Sequence, residues 1–209
     1  MTSPNCIRIL SVDDHPLVRE GLSAIIKSQA DMSLAGTASN GWEGVEAFRD
    51  LRPDVTLMDL RLPDLSGLDA MIAIRSEFPD ARAIMLTTFE GDMDVQQALK
   101  AGARGYLLKS MHPQQMVDMI RQVHAGKKCV PAEIASGLAE HVGDEALSNR
   151  EVEVLQQVAV GNRNRDIAAK LFIAEETVKV HVKHIMGKLN ANDRTQSVAI
   201  AVRRGIIQL

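Results

Sequence analysis

Four charged residues follow apolar segments that lie far apart in the sequence. The segment IRILSVDD ends in Asp13 and Asp14, the segment DVTLMD ends in Asp59, and RGYLLKS contains Lys109. Short apolar segments are typical of buried parallel strands, and ligands bind outside the carboxyl ends of such strands. Three carboxylates and a lysine at one edge would repel strongly without a divalent cation. The pattern therefore indicates magnesium-assisted phosphoryl transfer.

These side chains suit the transfer of a phosphoryl group to a carboxylate. Asp59 is the predicted nucleophile, because a carboxylate can hold a phosphoryl group as an acyl phosphate. Asp13 and Asp14 can bind Mg²⁺ with Asp59, since magnesium prefers oxygen ligands. Lys109 can pair with the phosphoryl oxygens, and the hydroxyl of Thr87 can hydrogen-bond one of them. Taken singly, each residue has a more common role: an Asp at a strand end caps a helix, a Lys is a solvated charge, and a Thr favours a strand. Their ordered arrangement favours the site.

The segments that must position these residues alternate between strand and helix patterns. Strands are predicted at 7–12, 32–38, 54–60, 81–88 and 104–109. Helices are predicted at 16–29, 41–51, 66–77, 92–101 and 113–125. The first of these helices has apolar residues at spacings close to helical: Leu17, Leu22, Ile25 and Ile26. Strands that alternate with helices predict right-handed βαβ units, so we expect an α/β fold with a doubly wound, five-stranded parallel sheet.

Residues 126–146 lack this alternation and are predicted to link the α/β domain of residues 1–125 to a second domain. Within the linker, Pro131 could start a short helix with Ile134 and Leu138 facing inward.

Residues 147–209 contain no strand pattern and predict a small all-α domain. Ser148 and Glu151 form a capping box for its first helix, while Asn164 and Asp193 are predicted to cap the second and fourth. The third helix is EETVKVHVKHIMGKL. Short helices with one tight turn between the second and third are typical of a helix-turn-helix domain.

Charge is unevenly distributed along this 209-residue chain. The net charge is −5 for residues 1–125, −2 for residues 126–147 and +4 for residues 148–209. A basic last part predicts contact with a polyanion, although scatter in composition could produce the same asymmetry. Cys6 and Cys129 have no metal-ligand spacing and indicate free thiols in a reducing compartment. No segment is long and apolar enough for a membrane span or a signal peptide, so we expect a cytoplasmic protein without a membrane partner.

The motifs of the first domain resemble those of a known family. VDDHP, MDLRLPDLSG, LTT and GYLLK are similar to the receiver domain of two-component response regulators over residues 5–125. The resemblance implies a flavodoxin-like fold in which Asp59 takes a phosphoryl group from a cognate sensor histidine kinase with Mg²⁺. Asp14 is then the direct metal ligand, Asp13 the outer-sphere ligand, and the Arg61 backbone carbonyl the third ligand from the protein.

The same resemblance implies a switch. Thr87 turns towards the phosphoryl group and Tyr106 follows it inward, whereas half-buried packing is the alternative for Tyr106. Ser110 stands where proline often follows the lysine, so the Lys109–Ser110 peptide could be cis only at a cost of about 2.5–4 kcal/mol.

The third helix of the second domain has a cationic face. Lys179 and Lys183 are four residues apart, with Val180 and His184 beside them. Another face is apolar and is predicted as core: Val178, Val182, Ile185 and Leu189. A helix that enters the DNA major groove presents cations and small side chains in this way, although a solvated amphipathic helix shows the same pattern.

Residues 147–205 closely resemble the LuxR-type helix-turn-helix at positions that include Glu151, Gly161, Ile167, Thr177, Val178 and Lys188. With the receiver, this resemblance gives the NarL/FixJ-like arrangement. The resemblance implies double-stranded DNA as a partner and a homodimer formed through the last helix, 194–204. The residues expected at DNA are Lys179, Val180, Lys183, His184, Arg163 and Asn164. Ala174 stands where the family usually has a Ser or Thr cap, and that loss should cost about 0.5–2 kcal/mol. Arg163 replaces a small polar residue and would add a phosphate contact.

We therefore expect a phosphorylation-controlled transcription factor whose only chemistry is its own phosphorylation and dephosphorylation. A haloacid-dehalogenase-like phosphatase also uses an Asp nucleophile and magnesium, but it needs a second Asp where this chain has Arg61. An orphan regulator that binds DNA without phosphate is disfavoured by the intact set of acidic residues.

Overall fold

The computed structural model describes residues 6–88, 92–131, 135 and 145–207, with only the backbone of residues 92–94. The chain divides into two compact units, and the boundary after the first falls at residue 135. Each unit is described by itself.

The first unit is a five-stranded sheet of parallel strands in the order β2-β1-β3-β4-β5. The strands are β1 (Ile7–Val12), β2 (Met32–Ala38), β3 (Val55–Asp59), β4 (Ala83–Thr87) and β5 (Gly105–Leu108). The helices are α1 (Pro16–Lys27), α2 (Gly41–Leu51), α3 (Gly67–Glu77), α4 (Asp92–Lys100) and α5 (Pro113–His124). The predicted α/β, doubly wound, five-stranded parallel fold is confirmed, with element ends within two residues of those predicted.

Both faces of the sheet are buried beneath helices, as expected for parallel strands. On one face, strand residues such as Ile9, Leu57 and Ile84 pack with side chains of α1 and α5. Neighbouring strand residues point to the opposite face and are also buried, among them Leu10, Met58 and Met85. One predicted helical position lies outside this core: Leu17 is 81% exposed, because it sits in the first turn of α1 on the solvent side.

Residues that follow α5 still pair with the sheet. Cys129 forms a parallel bridge to Gly105, at the free edge of β5. The Tyr106 N–H donates to the Cys129 carbonyl at 3.2 Å, and the Cys129 N–H donates to the Arg104 carbonyl at 2.8 Å. The start of the predicted linker therefore covers an edge strand. The predicted helix with Pro131, Ile134 and Leu138 falls mainly on residues 132–134 and 136–144, outside the described residues.

Among residues 145–207, the second unit has four helices: α6 (Asn149–Ala159), α7 (Asn164–Leu171), α8 (Glu175–Lys188) and α9 (Arg194–Arg203). Their apolar sides form one core that includes Leu155, Ile167, Val178 and Ile185. The turn between α7 and α8 contains Phe172 in the left-handed region, at φ 55°, and this is the tight turn of a helix-turn-helix.

Two of the three predicted helix caps in this unit are confirmed. The Ser148 side chain accepts from the Glu151 N–H in a capping box, and the Asp193 side chain accepts from the Gln196 N–H at 2.8 Å. The predicted Asn164 cap is wrong, because Asn164 is the first residue of α7 and Arg163 holds the cap position.

Candidate functional site

The predicted phosphoryl-transfer residues converge at the carboxyl edge of the first unit. Asp13 directly follows β1, Asp59 ends β3, Thr87 ends β4 and Lys109 directly follows β5. These four strands are neighbours in the sheet, so their ends lie side by side. The parallel topology therefore brings together residues that are up to 96 positions apart in the sequence.

Lys109 bridges two buried carboxylates. Its Nζ lies 2.7 Å from Asp13 Oδ2 and 2.7 Å from Asp59 Oδ2. Asp13 is fully buried and Asp59 is 3% exposed, so neither carboxylate gains much from bulk water. One ammonium thus partly neutralises two negative charges at an edge where a third carboxylate, Asp14, lies close by.

The environment shifts the pKa of both partners upwards. Burial raises the pKa of Asp59, and the hydrogen bond and charge of Lys109 only partly oppose that effect. Burial alone would lower the pKa of Lys109, but hydrogen bonds to Asp13 and Asp59 outweigh it, so this pKa is raised. Lys109 is therefore charged at neutral pH and retained as the counterion of the site.

The acidic residues form a group suited to a metal ion. Ligand atoms of Asp13, Asp14, His15 and Asp59 all lie within 4.8 Å of one another. Three carboxylates present hard oxygen donors, and Mg²⁺ prefers such donors over nitrogen or sulfur. The residues present therefore fit a magnesium ion.

His15 is a member of this group that the sequence reasoning missed as a site residue. Its ring Nδ1 lies 2.6 Å from Asp14 Oδ1, and its backbone N–H donates to Asp13 Oδ1 at 2.9 Å. His15 also precedes the first residue of α1 as its N-terminal cap residue. The signal was its position directly after the acid pair in VDDHP, where a neighbouring side chain can orient the carboxylates.

The other predicted receiver residues, Thr87, Arg61 and Tyr106, lie on β4, just after β3 and on β5. Thr87 is 2% exposed, and its carbonyl accepts from the Lys109 N–H at 2.7 Å. The Arg61 N–H donates to Asp59 Oδ1 at 3.3 Å. Tyr106 is fully buried, deeper than the half-buried position considered as the alternative, and its switch role stays a prediction. The peptide between Lys109 and Ser110 is trans, which answers the question left open by the sequence.

The cationic face predicted on α8 is exposed as a continuous strip. Lys179, Lys183 and His184 are exposed, and Val180 is 50% exposed. The opposite side of α8 packs into the core through residues predicted to do so: Val178, Ile185, Leu189 and the partly buried Val182. Glu176 partly neutralises the charge of Lys179, because Lys179 Nζ lies 2.6 Å from Glu176 Oε1.

The start of α7 adds a second cationic position to this unit. Arg163 is exposed and Asn164 is partly exposed, beside the exposed Arg165. The second unit thus presents cations from two helices, which is the distribution that a nucleic-acid-binding domain requires.

Comparison with known proteins assigns both units to families. Residues 9–121 match the response regulator receiver domain, and residues 145–201 match the bacterial regulatory proteins of the luxR family. The chain belongs to the LuxR-type two-component response regulators. Members of this family regulate transcription, which decides against the haloacid-dehalogenase-like alternative.

Several relatives match this response regulator along its whole length. It is 41% identical to the uncharacterized transcriptional regulatory protein YxjL of Bacillus subtilis (strain 168), covering 97% of this chain and 98% of that protein. It is 38% identical to the transcriptional regulatory protein LiaR of the same organism, covering 96% and 99%.

Solved structures agree with this assignment. The response regulator ChrA of a heme-sensing two-component system is 35% identical, with a TM-score of 0.59 over 97% of this chain and 100% of that chain. The RcsB–DNA complex has a TM-score of 0.72 over 95% and 99%, and at 24% identity it shows the fold alone. Among the described residues, none of the regulator's helices combines the length and apolar character needed to cross a membrane.

The two ends of α8 are held differently. Ala174 occupies its N-terminal cap position without a side-chain hydrogen bond, as the sequence predicted. Near its other end, Lys188 Nζ lies 2.9 Å from Glu151 Oε2 and donates to the Ala146 carbonyl at 3.2 Å. This lysine, which the sequence reasoning did not single out for a contact, anchors α8 to the start of α6.

Proposed function

We propose that Asp59 is the phospho-acceptor of this response regulator and takes its phosphoryl group from a phosphohistidine of a cognate sensor histidine kinase. An Asp59 carboxylate oxygen forms the new P–O bond while the P–N bond breaks, and the electron pair returns to the imidazole nitrogen. The observation that supports this most is the Lys109 ammonium, 2.7 Å from both Asp59 and Asp13. That cation can pair with the phosphoryl oxygens as charge builds up on them.

Magnesium is the proposed cofactor, since the acidic group offers it oxygen donors. Asp14 and Asp59 would hold the ion directly, Asp13 through water, and Arg61 through its backbone carbonyl. When bound, the ion supplies charge neutralisation for the transferring group. The Thr87 hydroxyl would hydrogen-bond a phosphoryl oxygen, and Tyr106 would then shift with Thr87 as the switch.

The acceptor assignment is tested by intact-protein mass spectrometry after treatment with a small-molecule phosphodonor and Mg²⁺. We expect one added phosphoryl group on the parent chain and none on Asp59→Asn. Asp50→Asn is a matched control, because Asp50 is an exposed carboxylate of α2 away from the site, and it should be labelled like the parent. Full labelling of Asp59→Asn would place the acceptor elsewhere.

The second unit is proposed to bind double-stranded DNA as a homodimer, with α8 in the major groove and α9 at the dimer contact. The exposed strip of Lys179, Val180, Lys183 and His184 supports groove insertion, since the other side of α8 is buried. A solved structure describes RcsB dimers bound to DNA, which is a statement about that protein. Arg163 and Asn164 at the start of α7 are proposed to contact the DNA backbone.

Base and phosphate contacts should differ in gel shifts on specific and scrambled DNA. Lys179→Ala and Lys183→Ala should each cost about 1–3 kcal/mol and relax sequence preference, whereas Arg163→Ala should weaken all sequences alike. Binding should fall steeply with salt because cationic contacts release counterions. If both lysine variants keep the affinity and the preference of the parent, α8 is not the helix that contacts the bases.

Phosphorylation is proposed to control this DNA binding. Residues 1–125 carry a charge of −5 and residues 148–209 carry +4, so an unphosphorylated acidic receiver can cover or repel the DNA-binding surface. Phosphorylation would release the second unit or bring two copies of it together as a dimer. We propose that this control acts in the cytoplasm. The isolated segment 148–209 should then bind DNA more tightly than the unphosphorylated whole chain.

A further inference from the structure

The loop between β3 and α3 is fastened to the start of α2 by one carboxylate. Asp64 accepts hydrogen bonds from the Gly41 N–H at 2.8 Å (Oδ1) and from the Trp42 N–H at 3.3 Å (Oδ2). These N–H groups belong to the first turn of α2, where the helix dipole favours a negative charge. A side chain from a different segment thus completes the capping of α2.

The carboxylate of Asp64 is held in its charged form. Burial alone would raise its pKa, but backbone hydrogen bonds from Leu65, Gly41 and Trp42 outweigh that effect, and its pKa is lowered. The backbones are also in close contact: a Cβ on Gly41 would lie 2.2 Å from the Leu65 carbonyl oxygen. The fit between the loop and α2 therefore depends on the negative charge of Asp64 and on the absence of a side chain at Gly41.

The other end of the same loop is fixed against the phospho-acceptor. The Gly67 N–H donates to the Leu60 carbonyl at 3.1 Å, and a Cβ on Gly67 would lie 1.8 Å from the Asp59 carbonyl oxygen. Arg61, whose carbonyl is the proposed third metal ligand, lies between this fastening and Asp64. The loop backbone on both sides of Arg61 is therefore fastened, by the Gly67–Leu60 hydrogen bond and by the contact of Asp64 with Gly41.

We propose that Asp64 is a positioning residue for the magnesium site. By holding the loop on α2, it keeps the Arg61 carbonyl directed to the ion without touching the ion or the phosphoryl group. The inference rests on the proposed function, because it concerns the affinity of the same site. Asp64 is neither one of the site residues predicted from the sequence motifs nor a member of the group of Asp13, Asp14, His15 and Asp59.

The test is the Mg²⁺ dissociation constant of the full chain, measured by isothermal titration calorimetry on a graded pair of variants. Asp64→Asn keeps one acceptor oxygen and Asp64→Ala keeps none, so affinity should fall in the order parent, Asn, Ala. Mutation of a residue that supports a metal ligand typically lowers metal affinity by about 10–100-fold. Asp64 supports a backbone ligand, Arg61, that lies three residues before it, so we expect the low end of this range, about tenfold for Asp64→Ala. If Asp64→Ala does not fold, Asp64→Asn still answers the question.

Asn40→Ala is the matched control, because Asn40 also caps α2. Its Oδ1 accepts from the Glu43 N–H at 2.9 Å, so this cap bond is made within α2 and not to the loop. Asn40→Ala should lower the thermal midpoint while leaving the Mg²⁺ affinity unchanged. If the Asp64 variants also lose thermal stability but bind Mg²⁺ like the parent, Asp64 has a structural role only and the inference is overturned.

A fourth variant, Asp14→Ala, separates this inference from the proposed function. Asp14→Ala should weaken Mg²⁺ binding if the acidic group holds the ion. Normal binding by Asp14→Ala would contradict the proposed site itself. Weakened binding by Asp14→Ala together with parent-like binding by the Asp64 variants would contradict only the role of Asp64.

Discussion

Replacement of Lys109 by methionine should destabilise the first unit strongly, because it leaves two buried carboxylates without their cation. Removing one partner of a buried ion pair typically costs about 3–5 kcal/mol. The Asp14 side chain is 35% exposed, so the site opens to water on one side and we expect the low end, about 3 kcal/mol. Against a total stability of about 5–15 kcal/mol, this loss is readily measured by urea unfolding.

The loss should depend on pH with a definite sign. The pKa of Asp59 is already raised by burial, and removing Lys109 removes the main opposing effect. A carboxyl group whose folded pKa lies above its unfolded value, about 3.9, destabilises the fold progressively as pH rises through that range. The deficit of Lys109→Met should therefore be largest at neutral pH and shrink as the solution is acidified towards about pH 4.

Lys100→Met is the matched control, since Lys100 is an exposed lysine in the last turn of α4. It should cost little at any pH. The reasoning is refuted if Lys109→Met is as stable as Lys100→Met at neutral pH, or if its deficit grows as pH falls. Added Mg²⁺ should recover part of the loss in Lys109→Met, because an ion that binds only the folded state stabilises it.

Three further predictions concern other parts of the chain. Ala174→Ser should supply the missing cap of α8 and raise stability by about 0.5–2 kcal/mol in thermal unfolding, and an unchanged midpoint would contradict the cap assignment. For Glu151, burial alone would raise the pKa, but hydrogen bonds at the start of α6 and from Lys188 outweigh burial and lower it. The charged Glu151 therefore stabilises the fold above its unfolded pKa of about 4.3, and this stabilisation is lost as the pH falls below that value. Glu151→Gln should accordingly be less stable than the parent at neutral pH, and unfolding curves that show equal stability there would refute this. Arg61 and Phe89 follow Asp59 and Thr87 by two residues, and neither has a side-chain carboxylate or amide that could orient a water molecule. The radiolabelled phosphoprotein should therefore be long-lived. Rapid loss of the label that is not slowed by chelating Mg²⁺ would contradict this.

The sequence was sufficient for the architecture and for the centre of the site. Apolar segments that end in Asp13, Asp59 and Lys109 predicted parallel strands, and parallel strands place their carboxyl ends at one edge. The bridge between these residues at 2.7 Å follows from that topology. In the second unit, the spacing of Val178 and Ile185 set the buried side of α8, which left Lys179 exposed on the other.

Other features depend on tertiary contacts that periodicity does not encode. The hydrogen bonds of Asp64 join it to Gly41 and Trp42, across 23 and 22 residues of sequence, and a lone Asp in a loop gives no sign of such partners. The apolar pattern groups Leu17 with Leu22 on the buried side of α1, but five residues of α-helix separate them by about 140° around the axis, which leaves Leu17 in solvent. The start of α7 also lies one residue earlier than predicted, since Arg163 and not Asn164 holds the cap position.

The most direct test of the central claim is DNA binding by the full chain with and without phosphodonor, compared between the parent and Asp59→Asn. Footprinting on genomic fragments at fixed salt and with Mg²⁺ present gives affinity and sequence preference together. We predict that the phosphodonor tightens specific binding by the parent and leaves Asp59→Asn unchanged. Equal binding by the parent in both conditions, or an equal gain in Asp59→Asn, would contradict control of DNA binding through Asp59.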